Sequence, residues 1–511
     1  VSYFVAGILR IILLEASAAL LVMRRAFAGV AAARARAATL IVAALAVFAF
    51  TNFGQLRGSG PMVHAWEQAH FFLGSKYLAE IGYFDIYKAI FLADREGARR
   101  LGDLSETRDL RTFDLVPLAS ALADGDNVRA RFSDERWAAF KEDWEHLSSW
   151  PAPWRDVVSD HGNSGSPAWA LVALPFVKLC GSEVGGQRVL GALDMVLMVA
   201  LFAFLFATFG SEAGAVGLTV WALMPFCFDY LAGSILRWDW LFATGMAFGF
   251  WRRGKPFVAG AFLGYAVVSK LFPIAFAVAL GVWLLAASVR ARRLDRALVR
   301  VVAGAALAAA IFVAAPCAAF GGTSVWRGYL ERIDVTQHEK FYGNQYSLKT
   351  VYLQLAESRP REVWEHLFRP REIKQSLARV PAGADATGLL LTRLALTALI
   401  LLAVVRGGPI EALGAGPFLV YVWLTVNAYY WNMLGLTALS LATRRERLSA
   451  GLLALHATLA AFYLYQHLNM GFAEGYFVGL LLLGVIIVWA LDALAQRQTA
   501  AAAAAAAPQA S

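Results

Sequence analysis

An all-α polytopic membrane protein is the fold class this sequence predicts, with about 12 to 13 transmembrane helices and a large helical first external loop. Three observations carry that expectation. Of the 511 residues, 59% are hydrophobic and only 16% charged, a balance foreign to soluble enzymes. Apolar runs of membrane-spanning length recur along the chain. The Lys and Arg residues gather in short gaps between those runs, so the net charge of +9 marks a cytoplasmic membrane face and excludes nucleic acid as a partner.

The elements follow in order. Residues 1–37 form an N-terminal segment whose apolar part, 3–23, carries Arg10 and Glu15 and reads as a span, an interfacial helix or an uncleaved signal-like piece. Arg24, Arg25, Arg34 and Arg36 precede the run at 38–54, which sends the chain outward from the cytoplasm. The loop at 55–187 is therefore external, and over 56–166 it is net acidic by about five charges. Connections this long are usually lids, binding elements or small domains. Trp137, Phe140, Trp144, His146, Trp150 and Trp154 recur mostly at helical spacing, predicting a helical cap whose rings are its own core rather than a sugar-stacking platform.

The apolar piece 167–180 is too short to span comfortably, and topology closes only if it stays outside, as a surface helix beneath the cap. A transmembrane bundle is expected over 188–319, with one of its spans over 212–230, a second large external loop over 320–387 and a C-terminal bundle over 388–492, with one of its spans over 412–427, and 493–511 as a disordered Ala-rich tail. Cys180, Cys227 and Cys317 have neither metal-ligand nor disulfide spacing and read as packing residues.

Function points to the stretch from His64 to Tyr87, where the first loop leaves the membrane with His64, Glu67, His70, Lys76, Glu80 and Asp85 close together. Ionisable groups at a membrane boundary are costly and mark sites. The other external polar stretches are Asp160–Pro167, Ser234–Trp240 with Arg237 and Asp239, the end of the run closing at Lys270, the second loop with His338, Lys340, Asn344 and Ser347, and the smaller pieces Asn427–Asn432 and Gln466–Asn469. Such a layout suits transfer from a lipid phosphate to a hydroxyl, which needs a base and cationic clamps. Glu67 is the candidate base and Asp160 the variant. His64, His70, Lys76, His161, Arg237, Lys270 and Lys340 compete as clamps, with His338 an alternate. His64-x-x-Glu67-x-x-His70 places three metal-ligating types on one helix face, but without a specific metal signature no metal site is assigned, and a divalent metal stays open.

These motifs resemble the fold type C glycosyltransferases, polytopic enzymes that use polyprenyl-phosphate sugars, among them the aminoarabinose transferases, protein O-mannosyltransferases and polyprenol-dependent α-mannosyltransferases. The resemblance rests on Glu67 after an early span, the His161–Pro167 turn, Lys178-Leu-Cys-Gly181 with Arg188, Arg237-Trp-Asp239, the Gly-rich run closed by Lys270 and Pro273, and Asn344-Gln-Tyr-Ser347-Leu. It implies a bacterial inner-membrane glycosyltransferase acting on the periplasmic or external face, with a polyprenyl-phosphate sugar as donor, an envelope acceptor and surrounding lipid as partners, and no required cofactor. It further implies Glu67 as base, Asp160 and Asp239 supporting sugar or metal contacts, Asn163, His161, Arg237 and Lys270 at the substrate, and Asn344 to Ser347 near the sugar. Glu stands where the family has Asp, and Pro167 replaces paired prolines, which leaves the identity of the base between Glu67 and Asp160. Two rival expectations accompany this one. A transporter or flippase needs ionisable groups deep in the bilayer, for which Asp194 and His456 are available; a non-catalytic envelope partner predicts dispensable carboxylates.

Overall fold

The computed structural model describes residues 3–26, 30–55, 63–225, 228, 231–338, 345–357, 386–443, 449–468 and 474–506. Helices dominate, joined by two short antiparallel ribbons, β1 (Glu106–Arg108) with β2 (Leu115–Pro117) and β3 (Gln345–Tyr346) with β4 (Val426–Asn427). Six described helices are long and apolar enough to cross a membrane: Val5–Arg24, Ala32–Phe50, Val184–Phe209, Arg296–Ala319, Thr387–Arg406 and Phe477–Ala495. This is the architecture of a multi-pass membrane protein. The first of them shows the N-terminal segment as a helix packed into the bundle. Arg10 Nη2 donates to Ala49 O at 3.0 Å and Asn52 Oδ1 at 2.9 Å, and His456 Nε2 lies 3.1 Å from Ser17 Oγ.

Several other expected spans fall on helices too short to be counted with these six, and two of them break for local reasons. The helix expected over 212–230 stops at Ala222, three residues before Pro225, since the residue preceding a proline is pushed out of the helical region. The one expected over 412–427 is split into Pro409–Gly414 and Gly416–Trp423 at Gly414-Ala-Gly416-Pro417. An eight-residue helix is about 12 Å long, well short of a bilayer core. Residues 167–180 do form one helix, Pro167–Cys180, started by Ser166, whose Oγ accepts the Trp169 N–H. The last helix, Glu474–Ala506, continues into the alanine-rich segment expected to be disordered.

Bundle ends can be matched through hydrogen bonds. Arg253 Nε donates to Thr208 Oγ1, Arg290 Nη2 donates to Val405 O, and Arg24 pairs with Glu212. With the close crossing of the Pro256–Ser269 and Arg296–Ala319 helices at Gly260 and Gly304, these contacts put Arg24 and the basic gaps at 252–255 and 290–296 at one end of the bundle. The long first loop leaves the other end, along with the turns at 233–238 and 270–273.

Glycines in the Gly-rich run serve packing. The Pro256–Ser269 and Arg296–Ala319 helices approach so closely that a Cβ on Gly260 would overlap the Val301 carbonyl, one on Gly264 the Ala305 carbonyl and one on Gly304 the Phe257 carbonyl. Small residues at such crossings let backbones meet. Gly304→Val is expected to force these helices apart and cost about 1–3 kcal/mol, lowering the thermal midpoint of the detergent-purified protein; an unchanged midpoint would contradict the contact.

The first loop folds as a cap on its own core. Trp137, Phe140 and Trp144 of the Asp134–Ser148 helix are all buried, packed with Tyr77 and Phe132, as the aromatic spacing predicted. Asp94 ties the cap together by accepting from Trp144 Nε1 and from the backbone N–H groups of Arg100 and Leu101.

Candidate functional site

The Ala65–Lys76 helix carries Glu67 into the protein at the end of the bundle opposite the basic gaps. His64 caps it, with Nδ1 facing the Glu67 N–H at 3.5 Å. Its register against the 233–238 turn is fixed twice over: the His64 N–H donates to Gly233 O at 2.8 Å, and Gln68 Nε2 donates to the same oxygen at 2.9 Å. Glu67 consequently meets residues about 170 positions later. Arg237 Nε lies 3.0 Å from Glu67 Oε2, and Ser234 Oγ donates to that oxygen at 3.3 Å. The Arg237 side chain is only 3% exposed and the Glu67 side chain 16%, so the carboxylate remains reachable while its cation is enclosed. Arg237 also covers the Phe71 ring, with Cζ 4.0 Å from the centroid.

The turn that aims Arg237 is held from below by Asp194, ten residues into the Val184–Phe209 helix. One carboxylate oxygen accepts the Arg237 N–H and the other the Trp238 N–H, both at 2.9 Å. Leu236 adopts φ 48° there, a left-handed conformation unfavourable for a branched residue. The intramembrane carboxylate that a transporter would use for solute or proton is thus a backbone cap for the site turn. His456, the other such group, bridges Leu452 O and Ser17 Oγ.

Beyond Arg237 stands Tyr430. Its phenol lies 3.4 Å from Arg237 Nη2, and Lys270 Nζ sits 5.7 Å from its ring centroid. Lys270 is buried where the Pro256–Ser269 helix ends and donates to Ser164 O at 3.1 Å. Two cations from separate elements thus converge on one phenol. Asp239, at the start of its helix, accepts from Tyr265 Oη at 2.6 Å and Ser269 Oγ at 2.5 Å through Oδ2.

Asp160 and His161 form the neighbouring part. Asp160 Oδ2 accepts from Trp66 Nε1 at 2.7 Å, and its Oδ1 lies 2.9 Å from His161 Nδ1. Both side chains are about one-third exposed. Their segment is stapled from two sides: His70 Nε2 is 3.2 Å from Val157 O and 3.0 Å from Tyr87 Oη, and that phenol accepts the Gly162 N–H. Arg332, from the Ser324–His338 helix, bonds the His161 carbonyl.

The two carboxylates are driven apart electrostatically. Burial pushes Glu67 above its ordinary value against the pull of Arg237, with the nearby Asp160 charge adding to the rise. Burial also opposes ionisation of Asp160, yet the His161 hydrogen bond, the charges of His70 and His161 and the Trp66 bond hold it well below the usual carboxylate range. A paired split of this kind gives one group able to exchange a proton and one fixed anion.

Of the residues expected from sequence, Glu67, Asp160, His161, Arg237, Asp239 and Lys270 are brought to one end of the bundle. The structure gives others a local structural partner. Lys76 pairs with Asp143 at 2.6 Å inside the cap. His70 is a buried staple. Asn163 accepts the Gly165 N–H and packs against Gly74, where any Cβ would strike its side chain. Ser347 caps the Leu348–Glu357 helix, accepting from the Thr350 N–H and from Thr425 Oγ1. Lys340, Asn344 and the His338 side chain lie outside the described residues. The site roles of Ser234, Tyr430 and the supporting Asp194 are additions, although the stretches that carry Ser234 and Tyr430 read as external and polar in the sequence. An aromatic residue at a membrane boundary is too ordinary to have singled out Tyr430.

Among the described residues, no three His, Cys, Asp or Glu side chains gather closely enough to hold a metal ion. Comparison with protein-family models, with curated proteins and with solved structures returned no match.

Proposed function

We propose that this protein is an integral-membrane glycosyltransferase that moves a sugar from a polyprenyl phosphate to an acceptor hydroxyl on the periplasmic face of a bacterial inner membrane. The observation that carries the reading is the meeting of a reachable carboxylate, Glu67, with Arg237, Tyr430 and Lys270 at the bundle end opposite the basic gaps. Glu67 takes the acceptor proton as the acceptor oxygen bonds the anomeric carbon. The bond from that carbon to the phosphate oxygen breaks, and its electron pair leaves with the polyprenyl phosphate, whose charge Arg237 and Lys270 neutralise. Attack opposite the leaving phosphate inverts the anomeric centre. Asp160 remains an anion beside the base, and Asp239 supports the Lys270 side of the site.

The same cluster resembles the fold type C glycosyltransferases in the order of its motifs, and that resemblance supplies the donor class. Asp194 and His456 are taken up in hydrogen bonds that hold the site turn and the N-terminal helix, which weighs against a transporter that would draw on them for its cargo. The test is exposure of the purified protein in lipid nanodiscs to a panel of labelled polyprenyl-phosphate sugars. Saturable binding with transfer or slow hydrolysis is expected. Failure to bind or turn over any member of the panel would end the reading.

A further inference from the structure

The pairing of β3 with β4 joins the second loop to the segment leading into Tyr430. Gln345 stands opposite Asn427, and Tyr346 opposite Val426. Residues directly opposite in an antiparallel pair share a face of the ribbon. Tyr346 and Val426 are buried in the bundle core, 2% and 8% exposed, so Gln345 and Asn427 lie on the other face, where both are partly exposed. Asn427 Nδ2 donates to Tyr429 Oη at 2.9 Å. Tyr429 is itself partly exposed, has its ring centroid 4.6 Å from that of Tyr430 with the planes tilted by 57°, and feels the charges of Arg237 and Glu67. Two primary amides and a phenol are thus presented together beside the proposed reaction centre.

Amides and phenols both give and receive hydrogen bonds, and an aromatic face covers the apolar side of a sugar ring. The cluster brings no carboxylate of its own, and among the described residues the carboxylate that acts on Tyr429 is Glu67, which is engaged by Arg237. An ammonium placed here would face Arg237 and, beyond Tyr430, Lys270. We infer that Gln345, Asn427 and Tyr429 form the donor-sugar subsite and select a neutral, hydroxyl-rich sugar against an amino sugar. This rests on the function proposed above and names the substrate class of that site.

The experiment measures nanodisc binding of three probes without turnover: polyprenyl phosphate alone, a polyprenyl-phosphate neutral hexose and a polyprenyl-phosphate amino sugar. Wild type is expected to bind the hexose donor about tenfold more tightly than polyprenyl phosphate, and the amino-sugar donor no more tightly than polyprenyl phosphate. Asn427→Ala and Gln345→Ala should each remove roughly two- to tenfold of the hexose preference, the worth of one hydrogen bond, and leave polyprenyl phosphate binding unchanged. Tyr429→Phe keeps the ring and should lose less than Tyr429→Ala. A hexose preference sensitive to these variants but without transfer would uphold the subsite and overturn the catalytic reading. Equal affinity for hexose donor and polyprenyl phosphate, or tighter binding of the amino sugar, would overturn the subsite even if transfer occurs. Absence of binding by all three probes would overturn both.

Discussion

Glu67→Gln is expected to lower transfer by about 10²–10⁴-fold, the usual contribution of a general base, while donor binding stays near that of wild type. The amide keeps the shape of the carboxylate and can still accept from Ser234, so a folded protein is expected. It loses the ability to take a proton and its ionic attraction for Arg237. The pH dependence sharpens the test. A base works only when deprotonated, so activity falls as pH drops through its pKa. Because burial raises that pKa above the ordinary 4.5, the acidic limb should lie above that value. Asp160→Asn removes a negative charge that contributes to the rise and should move the limb to lower pH. Glu67→Gln turnover equal to wild type would remove Glu67 from the chemistry. An Asp160→Asn limb moving to higher pH would contradict the electrostatic arrangement.

The second large effect is expected away from the reacting atoms. Asp194→Ala would orphan the Arg237 and Trp238 N–H groups in a buried setting, at about 1–3 kcal/mol each. The Leu236 turn would relax toward ordinary backbone, carrying the Arg237 guanidinium away from Glu67. A drop of several degrees in thermal midpoint is expected together with loss of transfer. Asp194→Asn keeps one acceptor oxygen and should fall between wild type and Ala in both measurements. A transporter that used this carboxylate for its cargo would instead retain its melting point in Asp194→Asn and lose only flux. Unchanged stability in Asp194→Ala would show that the turn does not depend on the cap.

Several features were legible in the sequence because they depend on composition and local spacing. Hydrophobic runs, the distribution of Arg and Lys and the helical spacing of Trp137, Phe140 and Trp144 led to a helical membrane protein with a folded first loop. Expected span lengths over 212–230 and 412–427 were less secure. There hydropathy averages across a helix break, and Pro225 and the Gly414–Pro417 stretch decide where each helix stops.

Side-chain partners were another matter. Lys76 and Arg237 are both cations beside aromatic residues in polar stretches, and nothing local tells them apart. Asp143, 67 positions after Lys76, claims the first for the cap; Glu67, 170 positions before Arg237, pairs with the second. Asp194 likewise reads as an isolated charge in an apolar helix until the 233–238 turn folds over it. The sequence by itself determined that the chain is a multi-pass membrane protein and that its candidate site residues collect in the segments between runs. Only the tertiary structure decided which of them meet, because a hydrogen bond or ion pair acts over about 3 Å, while Glu67 and Arg237, Ser164 and Lys270, and Arg237 and Tyr430 are each separated by more than a hundred positions of chain.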